Sequence, residues 1–364
     1  MEIKIKHKEI KEALNVLNKG VSSKETIPAL TGIMIETLDD KLRLYATDLE
    51  VGIEGFIDCE VEEKGKTVVP STMFKKYINK LNVEEVSLVV KGNTINISAN
   101  GSNFNLQCYN VDNFTEIPNF KDNFFTLPQI KLNEMIDKTT FAGIKSNIEA
   151  NPVLKAVKFK SEDNYLEASA TNRSRLSYIN KDISFDDEID LNIPIKSANI
   201  LKGMLNEGEV DIYIKENMLK FDLGNYVLYT RLIDGKFPDY QSIIPDNYDY
   251  EIKINKNEFK DAIERASILD EDDSIILEFL KNKVIITELE SQIGNIEEEV
   301  NLEEPVDIEE SKIGINAKYL LEGIKKSPRN VITLQFSGEL KPLIIKEENI
   351  NWTYIIMPIR IPKD

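Results

Sequence analysis

The sequence predicts an α+β protein assembled from three structural repeats, each setting two helices against antiparallel sheet. Three observations carry that prediction: a proline-led helix that returns twice, landmark spacings of 122–124 residues, and a sorting of charge between helices and the rest of the chain. The helix is clearest at residues 68–81, Val-Val-Pro-Ser-Thr-Met-Phe-Lys-Lys-Tyr-Ile-Asn-Lys-Leu. An apolar strand runs into Pro70, and Ser71 or Thr72 is expected to cap the helix that follows. Phe74, Ile78 and Leu81 recur at i, i+4, i+7 and predict one buried stripe. Lys75, Lys76, Asn79 and Lys80 fall opposite, with no carboxylate among residues 71–82. The same construction returns at 192–205 and 314–326.

Taken in order, residues 7–21 read as an amphipathic helix with Ile10, Leu14, Leu17 and Val21 on one face. Residues 33–62 alternate as strands, and 86–109 as strands turned at Lys91-Gly-Asn93 and Asn100-Gly-Ser102. Residues 112–125, with Pro118 and no period, read as a linker. A helix near 131–145, a strand over 166–171, a helix over 194–206 and strands over 210–233 then repeat the order. A second linker spans 234–245. The third pass gives a helix near 255–269, strands over 275–287, a helix over 316–327, and strands over 331–336 and 342–357. Thr47 and Thr171 are 124 residues apart, as are Pro70 and Pro194. Asp112 to Asp234 and Pro194 to Asn316 are each 122. Such spacing points to an internal repeat with boundaries at 1–124, 125–248 and 249–364.

The chain has 364 residues and formal charge -18. That charge argues against coating a polyanion with the whole surface. Six predicted helix windows (4–20, 71–82, 131–145, 195–206, 255–266 and 316–329) hold 20 of the 45 Lys and Arg but 8 of the 63 Asp and Glu. Helices favour lysine and loops aspartate, which accounts for part of this contrast. The functional reading is a shared electropositive helical surface facing a polyanion. Lysines without interleaved aromatics suit backbone contact rather than base readout or stacking.

Other chemistries lack a signature. There is no phosphate-binding Gly-rich motif. His7 is the only histidine, reads as a surface residue, and leaves no basis for histidine catalysis or metal ligation in the later repeats. Cys59 and Cys108 sit singly in strand-like segments. The acidic runs 297–299, 303–304 and 309–310 read as solvated surface rather than a Mg²⁺ site. No cofactor, metal or catalytic residue is expected. No apolar run reaches the roughly 18 residues of a membrane helix, the N-terminus lacks a signal-peptide core, and a cytoplasmic setting follows.

Several stretches together resemble the bacterial DNA polymerase III beta subunit, the sliding-clamp family. They are Ile27-Pro-Ala-Leu-Thr-Gly32 with Ala46-Thr-Asp-Leu-Glu50, Asp234-Gly-Lys-Phe-Pro-Asp-Tyr240 running on to Pro245, Ile293-Gly-Asn-Ile-Glu-Glu-Glu299, and Tyr354-Ile-Ile-Met-Pro-Ile-Arg360. The resemblance implies three clamp domains per chain and a ring formed as a head-to-tail homodimer. Helices would line its inner wall, with double-stranded DNA held topologically and without sequence specificity. It implies a non-enzymatic processivity factor, nucleoid-associated during replication. Its partners would be the replicative polymerase alpha subunit, the clamp loader and other proteins with a clamp-binding motif.

By resemblance, the DNA-facing residues are Lys24, Lys75, Lys76 and Lys80, then Lys196, Lys202, Lys318 and Lys325. Phe104 and Leu106 would meet Ile268 and Leu269 of a second copy. A partner-peptide pocket would draw on Leu154, Thr171, Arg175, Leu176 and Pro245. From the third repeat it would take Asn316, Tyr319, Leu340 and Pro342, then Ile355, Met357, Pro358 and Arg360. The family's Thr-Asp-x-His-Arg-Leu reads Thr171-Asn-Arg-Ser-Arg-Leu176 here, Asn151 stands where many relatives have arginine, and four residues follow Arg360. These departures bear on peptide preference. An acidic protein–protein scaffold of three α+β repeats, without DNA, is the competing reading.

Overall fold

The computed structural model describes residues 1–24, 26–121, 124–144, 151–162, 165–183, 188–245, 247–268, 274–288, 294–308 and 311–361. Among them run six α-helices: α1 His7–Leu17, α2 Ser71–Lys80, α3 Gln129–Thr139, α4 Ile195–Lys202, α5 Lys256–Ala266 and α6 Ala317–Lys326. One pairing rule recurs through the three repeats. A strand leads into each helix, a three-strand meander follows it, and the leading strand pairs with the meander that belongs to the repeat's other helix. In the first repeat, Glu2–Lys6 before α1 pairs with Glu85–Lys91 after α2, and Lys66–Pro70 before α2 pairs with Gly32–Thr37 after α1. Each repeat is thus a pair of interlocked halves.

Compactness groups the chain differently from the repeat. One unit comprises Met1–Asn133 with Lys196–Leu232, and the other Glu134–Ile195 with Ile233–Asp364. The sheets explain the grouping. An eight-stranded sheet in the first unit joins strand Tyr226–Arg231 to Val51–Asp58, in register from Tyr226↔Gly55 to Thr230↔Val51. An eight-stranded sheet in the second unit joins Arg175–Asp182 to Trp352–Ile356, from Arg175↔Ile356 to Ile179↔Trp352. Each takes four strands from each of two successive repeats. A five-stranded sheet lies wholly in the first repeat and a four-stranded sheet wholly in the third.

Local chemistry accounts for most elements. Phe74 and Ile78 of α2 are fully buried, as are Ile10, Leu14 and Leu17 of α1. The hairpin at Asn100-Gly101 has φ 45° and 80°, the two positive values that a primed two-residue turn demands. α3 closes where the Thr139 and Thr140 hydroxyls donate to the Met135 and Ile136 carbonyls, and a 3₁₀ turn over Thr140–Ala142 follows. The helix therefore ends at Thr139, short of the expected 145, and residues 145–150 lie outside the described residues.

Four further expectations are corrected. Ser71 does not cap α2: it is the first helical residue, buried, and its hydroxyl donates to Asn18 Oδ1 at 2.8 Å. Leu81 ends the helix half-buried. His7 is not a surface residue, because it starts α1 buried with Nε2 2.8 Å from the Ile78 carbonyl. The two linkers are not free connectors. Phe114, Ile117 and Phe120 pack on a cluster with Met34, Tyr45, Val68, Val227 and Tyr229 in the first unit. Phe237 and Tyr240 join Val153, Leu176, Ile344 and Ile355 in the second. Their aromatic residues bury apolar area that strand and helix periodicity did not count.

Candidate functional sites: basic helices and an apolar pocket

In the first unit, α2 turns Phe74 and Ile78 inward and leaves Lys76 and Lys80 exposed and Lys75 half-buried. No ion pair holds any of the three among the described residues. Lys80 lies in the last turn, where the helix dipole favours a cation. Lys24 is exposed in the loop after α1. On α4, Lys196 is exposed and paired with Asp48, and Lys202 is half-buried. In the second unit Lys318 is exposed on α6, and Lys325 pairs with Glu264 of α5 at 3.2 Å. The helix charge count included side chains that turn inward. Lys138 is buried, donates to the Lys326 carbonyl and lies 5.2 Å over the Trp352 ring, and burial pushes its pKa down. Lys326 pairs with Asp137 at 2.6 Å.

The pocket residues all lie in the second unit, around the loop between strands Tyr165–Thr171 and Arg175–Asp182. Thr171 Oγ1 donates to the Arg175 carbonyl at 2.6 Å and accepts from Arg173 N at 3.1 Å. Asn172 Oδ1 accepts from the amides of Ser174 and Arg175, each at 3.0 Å. Arg173 sits at φ 79°. The first unit repeats this turn. Thr47 bonds Val51 O and Leu49 N, Asp48 Oδ1 accepts from Glu50 N and Val51 N, and Leu49 has φ 74°. Asn172 therefore does for this loop what an aspartate does in the first repeat. Its amide adds a donor, which bonds the Tyr319 hydroxyl at 3.1 Å and ties the loop to α6. Asn316 caps that helix through Tyr319 N at 2.9 Å, and Met357 N donates to the Ser174 carbonyl at 2.8 Å.

Arg175 is the electrostatic centre. Its guanidinium lies 4.2 Å over the Tyr319 ring, pairs with Glu322 and donates to the Phe141 carbonyl at 2.6 Å, while Nε has no hydrogen-bond partner among the described residues. Leu154, Thr171, Arg175, Leu176 and Ile355 are all buried and form a floor rather than a rim. Pro342 is also buried. Pro245, Met357, Pro358, Asn316 and Tyr319 are half-buried, Arg360 is exposed, and Leu340 is 69% exposed. Beside them Pro245, Tyr248, Phe336, Pro342 and Ile344 line a cavity of about 90 Å³. Glu322 and Phe141 are part of this site without having been anticipated. Only the pairing need of a buried arginine in a strand could have pointed to the first.

Phe104 and Leu106 are half-buried on Ser102–Gln107, an edge strand of the five-stranded sheet, and Tyr77 stacks on Phe104 at 4.6 Å. Ile268 is 70% exposed, and Leu269 lies outside the described residues. No described helix is long and apolar enough to cross a membrane.

Basic helix faces, an apolar pocket and an open sheet edge on a repeated scaffold are features that suit a binding protein. Comparison with known proteins makes that class specific. Residues 1–118, 126–239 and 241–360 match the N-terminal, central and C-terminal domains of the DNA polymerase III beta subunit. The chain is 30% identical over 379 residues to the beta sliding clamp of Staphylococcus epidermidis, covering 99% of each chain. It is 30% identical over 379 residues to that of Bacillus subtilis, covering 99% of this chain and 100% of the other. The crystal structure of the DNA polymerase sliding clamp from Bacillus subtilis matches with TM-score 0.90 at 29% identity, covering 99% of both chains. The chain belongs to the DNA polymerase III beta subunit family, the bacterial beta sliding clamps.

Proposed function

We propose that the chain is a DNA sliding clamp for the replicative polymerase and works as a ring of two copies, each contributing three domains with boundaries near 124 and 248, around duplex DNA. The observation that carries the reading is α2. Its outward face holds Lys75, Lys76 and Lys80 with no carboxylate partner among the described residues, in a chain of charge -18. A ring holds DNA by topology, so its phosphate contacts can be weak and exchangeable. The surface pairs Lys196–Asp48 and Lys325–Glu264 fit that need. Each is worth about 0–1 kcal/mol and yields readily to phosphate. Lys24, Lys202 and Lys318 complete the DNA-facing set.

The open edge strand with Phe104 and Leu106 supports a head-to-tail contact with Ile268 and Leu269 of a second copy, because an unpaired edge is a ready pairing surface. The pocket around Leu340, Met357, Pro358 and Tyr319, floored by Leu176 and Ile355, suits the apolar anchors of a short peptide. The polymerase alpha subunit, the clamp loader and other motif-bearing proteins would dock there, and the clamp would have no catalytic site of its own. The cytoplasm, at the nucleoid during replication, is the proposed location. Nothing in the relatives favours the acidic scaffold. The test is the triple substitution Lys75→Glu, Lys76→Glu, Lys80→Glu, with processive synthesis on a primed circle as the readout. The proposal expects shorter products at unchanged dimer mass, and unaltered product length at 150 mM salt would overturn the role of α2.

A further inference from the structure

The two straps that replace the expected linkers are pinned by different chemistry at the same place in the repeat. Ile117-Pro118-Asn119-Phe120 in the first unit is echoed 120 residues later by Phe237-Pro238-Asp239-Tyr240 in the second. Each strap crosses a meander whose middle strand holds a charged residue at the equivalent position, Arg43 in Lys41–Thr47 and Glu167 in Tyr165–Thr171, which are 124 residues apart. In the first unit the pin is a permanent ion pair. Arg43 donates to Glu116 of the strap at 2.7 Å, Lys66 adds a bond at 3.1 Å, and Arg43 also holds Glu36 and Glu54. Despite burial, the bonds from Arg43 and Lys66 keep Glu116 below the usual carboxylate range, so it stays charged near neutrality.

Among the described residues the second strap has no such pair. Glu167 is buried, and the Tyr240 hydroxyl donates to it as its one hydrogen-bond partner among the described residues. Lys160 stands opposite on the neighbouring strand but is bonded to Glu162, which also accepts from Tyr165 at 2.7 Å. On the other side the cross-strand neighbour is uncharged Asn180, and Tyr178 stacks near Tyr240 at 6.5 Å. Asn192 Nδ2 fastens the start of the strap through the carbonyls of Ile233 and Gly235, at 3.2 and 2.9 Å, and does not titrate. Burial, with Glu162 adding and Lys160 opposing, pushes the Glu167 carboxyl up to about 7.

We propose that Tyr240 and Glu167 form a proton-controlled latch. Neutral Glu167 holds strap 233–244 down on the cluster of Leu176, Ile344 and Ile355, and ionised Glu167 loosens it while strap 111–120 stays fixed. The strap ends at Pro245, so the device would regulate the peptide pocket, and in that respect it rests on the pocket reading above. The direction follows from linkage. A carboxyl raised in the docked state keeps its proton there more tightly than in the open state. Docking is therefore strongest below the ordinary value of 4.5, weakens as pH rises to about 7, and is flat beyond.

Hydrogen exchange of the full chain at pH 5.5, 6.5 and 7.5, corrected for intrinsic rates, tests this directly. Protection of 236–244 should fall by about tenfold or more from pH 5.5 to 7.5, with 111–120 unchanged as internal control. Glu167→Gln should hold 236–244 protected at all three values, and Tyr240→Phe, which removes a donor that favours the carboxylate, should leave the pH-dependent component at least as large while leaving the ring packed. A flat wild-type profile, or the same fall in Glu167→Gln, overturns the latch. A second arm titrates an acetylated, amidated pentapeptide of apolar and neutral polar residues, which carries no charge of its own. It should bind more tightly at pH 5.5 than at 7.5 in the wild type and not in Glu167→Gln. If exchange follows the prediction but this peptide fails to bind at either pH, the latch stands and the pocket reading falls.

Discussion

Arg175 and Glu322 give the sharpest prediction about the pocket. Arg175 is 6% exposed and depends on Glu322 for its counter-charge, while Glu322 is 29% exposed and can rehydrate. Glu322→Gln strands the guanidinium, whose Nε already lacks a hydrogen-bond partner among the described residues. Breaking a fully buried pair costs about 3–5 kcal/mol, and the partial exposure of Glu322 lowers the expectation to about 2–3 kcal/mol. Arg175→Met keeps the packed stem but leaves the Phe141 carbonyl without its donor and removes the stack on Tyr319. Those losses amount to about 1–3 kcal/mol, offset in part because a buried charge disappears. The double substitution removes both charges and should cost less than the sum, with a coupling of about 1–2 kcal/mol. Urea unfolding followed by Trp352 fluorescence reads the result. Trp352 is the only tryptophan and is buried in the same unit, with Nε1 2.8 Å from Ser177 Oγ. Strict additivity within about 0.5 kcal/mol, or a harmless Glu322→Gln, would refute the pairing as the organiser of this site.

Ile268→Asp combined with Leu269→Asp should convert a dimer of 41.6 kDa chains into folded monomers by light scattering, and an unchanged mass would remove that segment from the interface. Cys59 is half-buried, and burial pushes its thiol up to about 11. Its alkylation by iodoacetamide at pH 8 should therefore run well over tenfold slower than that of glutathione and accelerate about tenfold per pH unit up to that value. A rate matching free thiol would contradict the burial.

The repeat and the helices were legible in the sequence because both rest on local periodicity. Phe74 and Ile78 mark a buried stripe whatever the tertiary context, and the paired threonines Thr47 and Thr171 sit in superposable turns. What escaped was decided by distant partners. His7 is buried because its ring meets the carbonyl of Ile78, 71 residues away. Lys138 and Lys326 counted as surface cations until Trp352 and Asp137 claimed them. The straps lack any period, since an irregular segment is held by a few aromatic residues and polar pins. In the pocket, the family resemblance supplied the candidate residues without their burial, and no sequence pattern distinguishes a buried Leu176 from an exposed Leu340. The replacement of an acid by Asn172 is conservative for the turn and consequential for Tyr319, a distinction that needs the hydrogen-bond directions.

The most direct test of the central claim is retention on a single nicked plasmid before and after it is cut. The protein is incubated with the circle and a bacterial clamp loader, freed of unbound copies, and counted on DNA as a restriction enzyme linearises the plasmid. A closed ring held by topology stays on the circle and leaves through the new ends with the kinetics of cutting, at any salt that preserves the dimer. Equal retention on circular and linear DNA would contradict the account and return the basic helices to ordinary phosphate binding.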